Sequence, residues 1–117
     1  MSKDFKAIIQ RISKGLGAFA KQQPESMQGF QAMSKACEKE GALSAKHKEL
    51  MALAIGVSQR CDGCIGFHVK KCVALGVTRE ELAEAMGVVA FMGGGPALMY
   101  VADALLAYDQ LTGAENG

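Results

Sequence analysis

Tryptophan is absent from this chain, proline occurs twice, and aromatic residues make up only 6% of its 117 positions. With no sustained alternation of apolar and polar residues either, the strand signals are nearly missing, and a fold built on β-sheets is excluded. An excess of charge of one sign is also lacking. Lys and Arg total 13 against 12 for Asp and Glu, a net charge of +1, which gives no electrostatic footprint for nucleic acid or an anionic membrane. Neither is expected as a partner. The opening Met1-Ser2-Lys3-Asp4-Phe5-Lys6 has no long apolar run of the signal-peptide kind, so the expected location is cytoplasmic. In that reducing compartment a cysteine pair is more often catalytic or metal-binding than structural.

What is abundant points to helices. Half the residues are apolar, and Ala, Leu, Met, Lys and Glu, all good helix formers, are frequent. A chain of this length buries about two thirds of its unfolded surface, enough for one self-supporting domain over 1–117 without disulfide staples. Residues 85–102 carry no charge over a length that nominally spans a bilayer. Gly93-Gly94-Gly95-Pro96 interrupts that segment, however, and would leave backbone groups unsatisfied in lipid, so it reads as two shorter buried helices.

The pattern predicts an all-α bundle of about six helices. Asp4 is an N-cap for a first helix with Phe5, Ile8, Ile9, Ile12, Leu16 and Phe19 on one stripe. Pro24 opens a second that runs to a stop near Gly41, and Ser44 caps a third that ends near Ser58. A fourth begins after Gln59–Asp62, carries Cys64, His68 and Cys72, and stops at Gly76. Thr78-Arg79-Glu80-Glu81 matches a capping box for a fifth, which is expected to end at the glycine triplet. Pro96 then starts a sixth, and Thr112–Gly117 reads as a frayed tail.

Chemistry concentrates at Cys61-Asp62-Gly63-Cys64, with His68 four residues beyond and Glu49 twelve residues before. Cysteines three apart close a small disulfide, and a helix starting there places partial positive charge beside the thiols, favouring the nucleophilic thiolate. Only about 3% of an unperturbed thiol is ionised at pH 7. Cys64, in the predicted first turn, is expected to be the more acidic of the two. His68, one turn on, is placed to exchange its proton, and a carboxylate on the far ring nitrogen would fix the imidazole tautomer. Glu49 is the candidate, although taken alone it reads as a solvated surface charge. The other reading of Cys61, Cys64 and His68 is a structural zinc site, but no second Cys-x-x-Cys or His-x-x-x-His supplies the fourth ligand. Cys37 and Cys72 read as small core residues, His47 as solvent-facing, and the glycine triplet as a turn rather than a phosphate loop.

Leu43-Ser44-Ala45-Lys46-His47-Lys48-Glu49-Leu50, Arg60-Cys61-Asp62-Gly63-Cys64, His68, Gly76-Val77-Thr78-Arg79-Glu80-Glu81 and Met92-Gly93-Gly94-Gly95-Pro96 together resemble the carboxymuconolactone decarboxylase family, and within it the alkylhydroperoxidase D-like branch. The resemblance runs from about Pro24 to Leu106. It implies an all-helical fold and assembly as trimers or hexamers. It further implies a peroxidase in which Cys64 attacks a hydroperoxide, Cys61 donates a proton and resolves the sulfenic acid, and Glu49 with His68 forms a proton relay. No cofactor or metal is implied, and the partners are a hydroperoxide and a dithiol reductant. The decarboxylases proper lack such a cysteine pair, and the best-known peroxidase members carry a histidine where this chain has Gly63. Other readings are a general disulfide reductase, a decarboxylase-like enzyme, or a redox-responsive or zinc-stabilised helical interaction module without turnover.

Overall fold

The computed structural model describes residues 3–114, and these form five helices in one bundle, with no strand among the described residues. Helix α1 covers Phe5–Gln22, α2 Pro24–Glu38, α3 Ala45–Ser58, α4 Asp62–Ala74 and α5 Arg79–Thr112. The expected caps are in place. Asp4 accepts a hydrogen bond from the Ala7 N–H (3.1 Å), and Ser44 accepts one from the His47 N–H (3.1 Å). Thr78 and Glu81 close a reciprocal capping box (2.8 and 3.1 Å). Each satisfies a donor that the first helical turn leaves without an intrahelical acceptor.

The core is built from α3, α4 and α5, with the first turns of α1 laid across α4. Phe5, Leu53, Ile65, Leu82 and Met86 are fully or almost fully buried there, each such side chain contributing about 1.5–3 kcal/mol through removal from water. Besides the buried Phe5, one buried polar side chain ties down the start of α1. Gln110 accepts from the Phe5 N–H (2.8 Å) and donates to the Lys3 carbonyl (2.7 Å), tying residues 3–5 to α5. Only Phe5 and Ile9 of the α1 stripe are buried, whereas Leu16 and Phe19 remain exposed. Helix α2 buries none of its residues and ends at Glu38, short of the expected stop at Gly41.

The last element is two helices joined across a kink, as expected from the glycine triplet. Gly94 leaves helical geometry there (φ 75°, ψ −164°), and Pro96 stands in the first turn beyond it. The expected sixth helix is the arm of α5 that follows this kink. Among the described residues α5 is the one helix long and apolar enough to cross a membrane. It places Leu82, Met86, Val89, Ala97, Ala104 and Ala107 in the core, while only 17% of its most apolar window is buried. The helix ends at Thr112 with left-handed Gly113, and residues 115–117 of the expected frayed tail lie outside the described residues.

Candidate redox site

The turn between α3 and α4 fixes the first cysteine. Arg60 adopts the left-handed conformation (φ 57°), its N–H donates to the Val57 carbonyl (3.0 Å), and the Cys61 N–H donates to the Gly56 carbonyl (3.0 Å). This is the hydrogen-bond pattern of a Schellman motif. The same pattern closes α4, where glycine, Gly76 (φ 80°), takes the left-handed position. A non-glycine residue there is strained by about 1 kcal/mol or more, and such strain gathers at functional turns. Its consequence is that Cys61, the last residue of the α3 cap, is also the N-cap of α4.

Cys61 and Cys64 are joined as a disulfide with their Cα atoms 5.2 Å apart. The Cys64 N–H donates to the Cys61 sulfur (3.2 Å), so the sulfur that receives the N–H of the first turn is that of Cys61. The helix N-terminus thus reaches both sulfurs, Cys61 as its N-cap and Cys64 in its first turn. Asp62, between them, is at hydrogen-bond distance from the Lys3 ammonium (2.9 Å), which also binds Asp103 (2.7 Å).

Close packing brings the remaining groups in. Gly56 of α3 is buried, and a Cβ placed on it would lie 2.8 Å from the Cβ of Cys64. Only glycine allows the two helices to approach this closely. The approach carries Glu49, two turns earlier on α3, to His68, one turn after Cys64 on α4. His68 Nδ1 and Glu49 Oε2 are 2.7 Å apart. Glu49 is only 4% exposed, so the solvated-charge reading of it is incorrect. An ionised carboxylate only accepts, so the shared proton sits on Nδ1 and Nε2 is left as the free ring nitrogen. The structure thus pairs Glu49 with His68 one helical turn beyond Cys64, on the helix that Cys61 caps.

A cavity of about 280 Å³ opens onto the dyad. Glu49 and His68 line it together with Lys48 of α3 and Phe30, Met33 and Cys37 of α2. A larger concavity of about 510 Å³ is lined by α2 alone and contains neither a cysteine nor a histidine, so size does not locate the chemistry. Glu38, beside the dyad cavity, accepts from Lys71 and Ser34. The Lys71 contact, before that of Ser34, holds its carboxyl below the usual range.

The other sequence candidates separate cleanly. Cys72 is a core thiol as expected, and burial, reinforced by the charge of Glu49, pushes its pKa up to about 12. Cys37 is exposed rather than buried, in the wall of the dyad cavity. His47 is exposed and its ring lies against Ser44 (3.0 Å). Among the described residues no three His, Cys, Asp or Glu side chains cluster so as to hold a metal ion. Gly63 packs under α1, where a Cβ would come within 2.6 Å of Ile12 Cδ1, so this position has no room for a larger side chain unless Ile12 moves. Sequence reasoning missed Lys3, whose only signal was an Asp two residues into a distant turn.

A family model for the carboxymuconolactone decarboxylase family matches residues 24–107. An apo crystal structure of a family member from Legionella pneumophila superposes with a TM-score of 0.92 at 47% identity, over 95% of this chain and 99% of that one. A family member from Thermotoga maritima, for which a part in the antioxidative response has been suggested, superposes with a TM-score of 0.80 at 27% identity, over 92% of each chain. An uncharacterised protein from Cupriavidus necator is 40% identical over 111 residues, 95% of this chain and 98% of that protein.

Proposed function

The chain belongs to the carboxymuconolactone decarboxylase family, and on that premise we propose that it is a thiol-dependent peroxidase that reduces hydroperoxides through the Cys61–Cys64 pair. The observation that carries this reading is the partly buried hydrogen bond between Glu49 of α3 and His68 of α4, the helix that begins at the two cysteines. A structural disulfide needs no such dyad.

In the reduced protein the Cys64 thiolate attacks one oxygen of a hydroperoxide. The S–O bond forms as the O–O bond breaks, leaving a sulfenic acid on Cys64 and an alkoxide that takes up a proton as alcohol. His68 exchanges protons through Nε2, while Glu49 holds Nδ1 and stabilises the imidazolium when it forms. The Cys61 thiol then attacks the sulfenic sulfur, water leaves, and the Cys61–Cys64 disulfide remains. A dithiol reductant returns both cysteines to thiols by exchange, itself becoming a disulfide. The choice of Cys64 as attacking sulfur rests on the resemblance and on its position in the first turn of α4, one turn from His68. The cavity beside the dyad, with Phe30 and Met33 in its wall, offers an apolar approach to His68, although neither Cys61 nor Cys64 lines it.

A homo-oligomer belongs to the same proposal. Val88, Phe91, Met92 and Met99 of α5 stand exposed, Phe91 at 83%, a surface of the kind that is covered in assemblies. Light scattering should give a multiple of the 12.3 kDa chain mass, and a mass of one chain at micromolar concentration counts against it.

The activity is tested by stoichiometry. Reduced protein mixed with one equivalent of cumene hydroperoxide should lose two thiols and yield one equivalent of alcohol. Peroxide that persists while an added dithiol substrate is still turned over would favour the disulfide-reductase reading.

A further inference from the structure

The Lys3 ammonium lies 2.9 Å from Asp62 and 2.7 Å from Asp103, with its nitrogen 4.8 Å from the centre of the Tyr100 ring. Asp62 is the residue between the two cysteines' turn and their helix, directly after Cys61. An unpaired carboxylate at this place would oppose a thiolate on its neighbour, working against the first-turn N–H that the Cys61 sulfur receives. Lys3 is not held there by its side chain alone. Gln110, buried on α5, binds the Lys3 carbonyl and the Phe5 N–H, and Phe5 is fully buried. The backbone that presents the ammonium is therefore fixed on both sides. We propose that Lys3 is a positioning residue of the redox site, which neutralises Asp62 beside Cys61 and thereby sets how readily the Cys61 thiol ionises.

Arg60 precedes Cys61 in the turn, Asp103 comes from α5, and Glu49 with His68 forms the dyad of α3 and α4. Helix α1 contributes apolar contacts, Ile12 at Gly63 and Ile9 with Phe5 at Gly66. Of these groups only Lys3 is bonded to Asp62. Removing it leaves two carboxylates, Asp62 and Asp103, without their shared cation. Both Lys3 and Asp62 are more than one third exposed, so water screens the effect to the size of a surface ion pair.

The proposal builds on the reading of Cys61 and Cys64 as a working thiol pair, but its test needs no peroxide. Reduced protein is alkylated with iodoacetamide from pH 5 to pH 10, and each cysteine is followed separately by peptide mass spectrometry. In Lys3→Met the Cys61 profile should move up by about half a pH unit, roughly a three-fold slower reaction at pH 7. Asp62→Asn should move it down by a similar amount, and Lys3→Met made in the Asp62→Asn background should have a clearly smaller effect than in the wild type. Lys3→Arg should keep the wild-type profile, and about 1 M KCl should shrink the differences. Thermal melts show whether each variant remains folded. A folded Lys3→Met with an unchanged Cys61 profile overturns the proposal, as does an equal effect of Lys3→Met with and without the Asp62 carboxylate. Inactivity toward peroxides with the expected alkylation profiles would instead reject the peroxidase reading and leave Lys3 in its role.

Discussion

Gly56→Ala is the substitution through which the packing beneath the site is most directly tested. The added Cβ would lie 2.8 Å from the Cβ of Cys64, against about 3.5–4.0 Å for an ordinary carbon contact. The two helices must therefore separate by roughly 0.7–1.2 Å or tilt, since neither partner is the end of a flexible side chain. Overpacking of this kind costs about 1–3 kcal/mol, and the better helix propensity of alanine returns about 0.5–1 kcal/mol. A net loss of roughly 1–2 kcal/mol corresponds to a fall of about 4–8 °C in the midpoint for a domain of this size. Thermal melts by circular dichroism measure it. Gly29→Ala is the control, because a Cβ there meets nothing within 4 Å, and it should raise the midpoint. Separation at Gly56 also strains the 2.7 Å Glu49–His68 contact two turns away, so alkylation of Cys64 should change with stability. A Gly56→Ala protein as stable as the wild type, with unaltered Cys64 reactivity, would refute the claim that this glycine sets the helix approach.

Glu49→Gln keeps an oxygen that can accept from His68 but removes the charge that stabilises the imidazolium, and it should slow peroxide reduction by about 10²–10⁴ at unchanged helicity. Wild-type turnover in that variant would make Glu49 a packing residue. Acid should destabilise the fold. Glu38 beside Lys71, Glu81 in its capping box with the Thr78 backbone, and Asp109 beside Arg79 are all held below their ordinary values of 4.5, 4.5 and 3.8. Their stabilisation is present above those values and is lost as pH falls through them toward the lower folded-state ones. The melting midpoint should drop below about pH 4.5, and a midpoint unchanged from pH 6 to pH 3 contradicts this.

Features set by neighbours in the chain were readable from the residues alone. Asp4, Ser44 and Thr78 with Glu81 cap helices because their side chains reach backbone groups two or three residues away, and Pro24 and Gly76 act through their own dihedral angles. The cysteine pair with His68 at one helical turn was legible for the same reason. Glu49 was not, since its burial depends on how closely α3 approaches α4, which Gly56 decides through a contact with Cys64. Cys37 was misread because an apolar stripe shows which face of α2 avoids water without showing whether anything covers it. At Gly93–Pro96 the local signal was legible too, since Gly94 takes the positive φ that interrupts the helix and Pro96 opens the arm beyond it. Lys3 reaches Asp62 and Asp103 across 59 and 100 residues, a pairing that no local pattern announces.

The order of the two thiols is tested by trapping. Reduced Cys61→Ser protein, lacking a resolving thiol, is treated with one equivalent of hydroperoxide and a sulfenate-specific reagent, and the modified peptide is identified by mass spectrometry. An adduct on Cys64 with little turnover is expected, and neither adduct nor turnover in Cys64→Ser. An adduct found only on Cys61 in the Cys64→Ser protein would reverse the assignment, and no oxidation of either thiol would contradict the peroxidase reading itself.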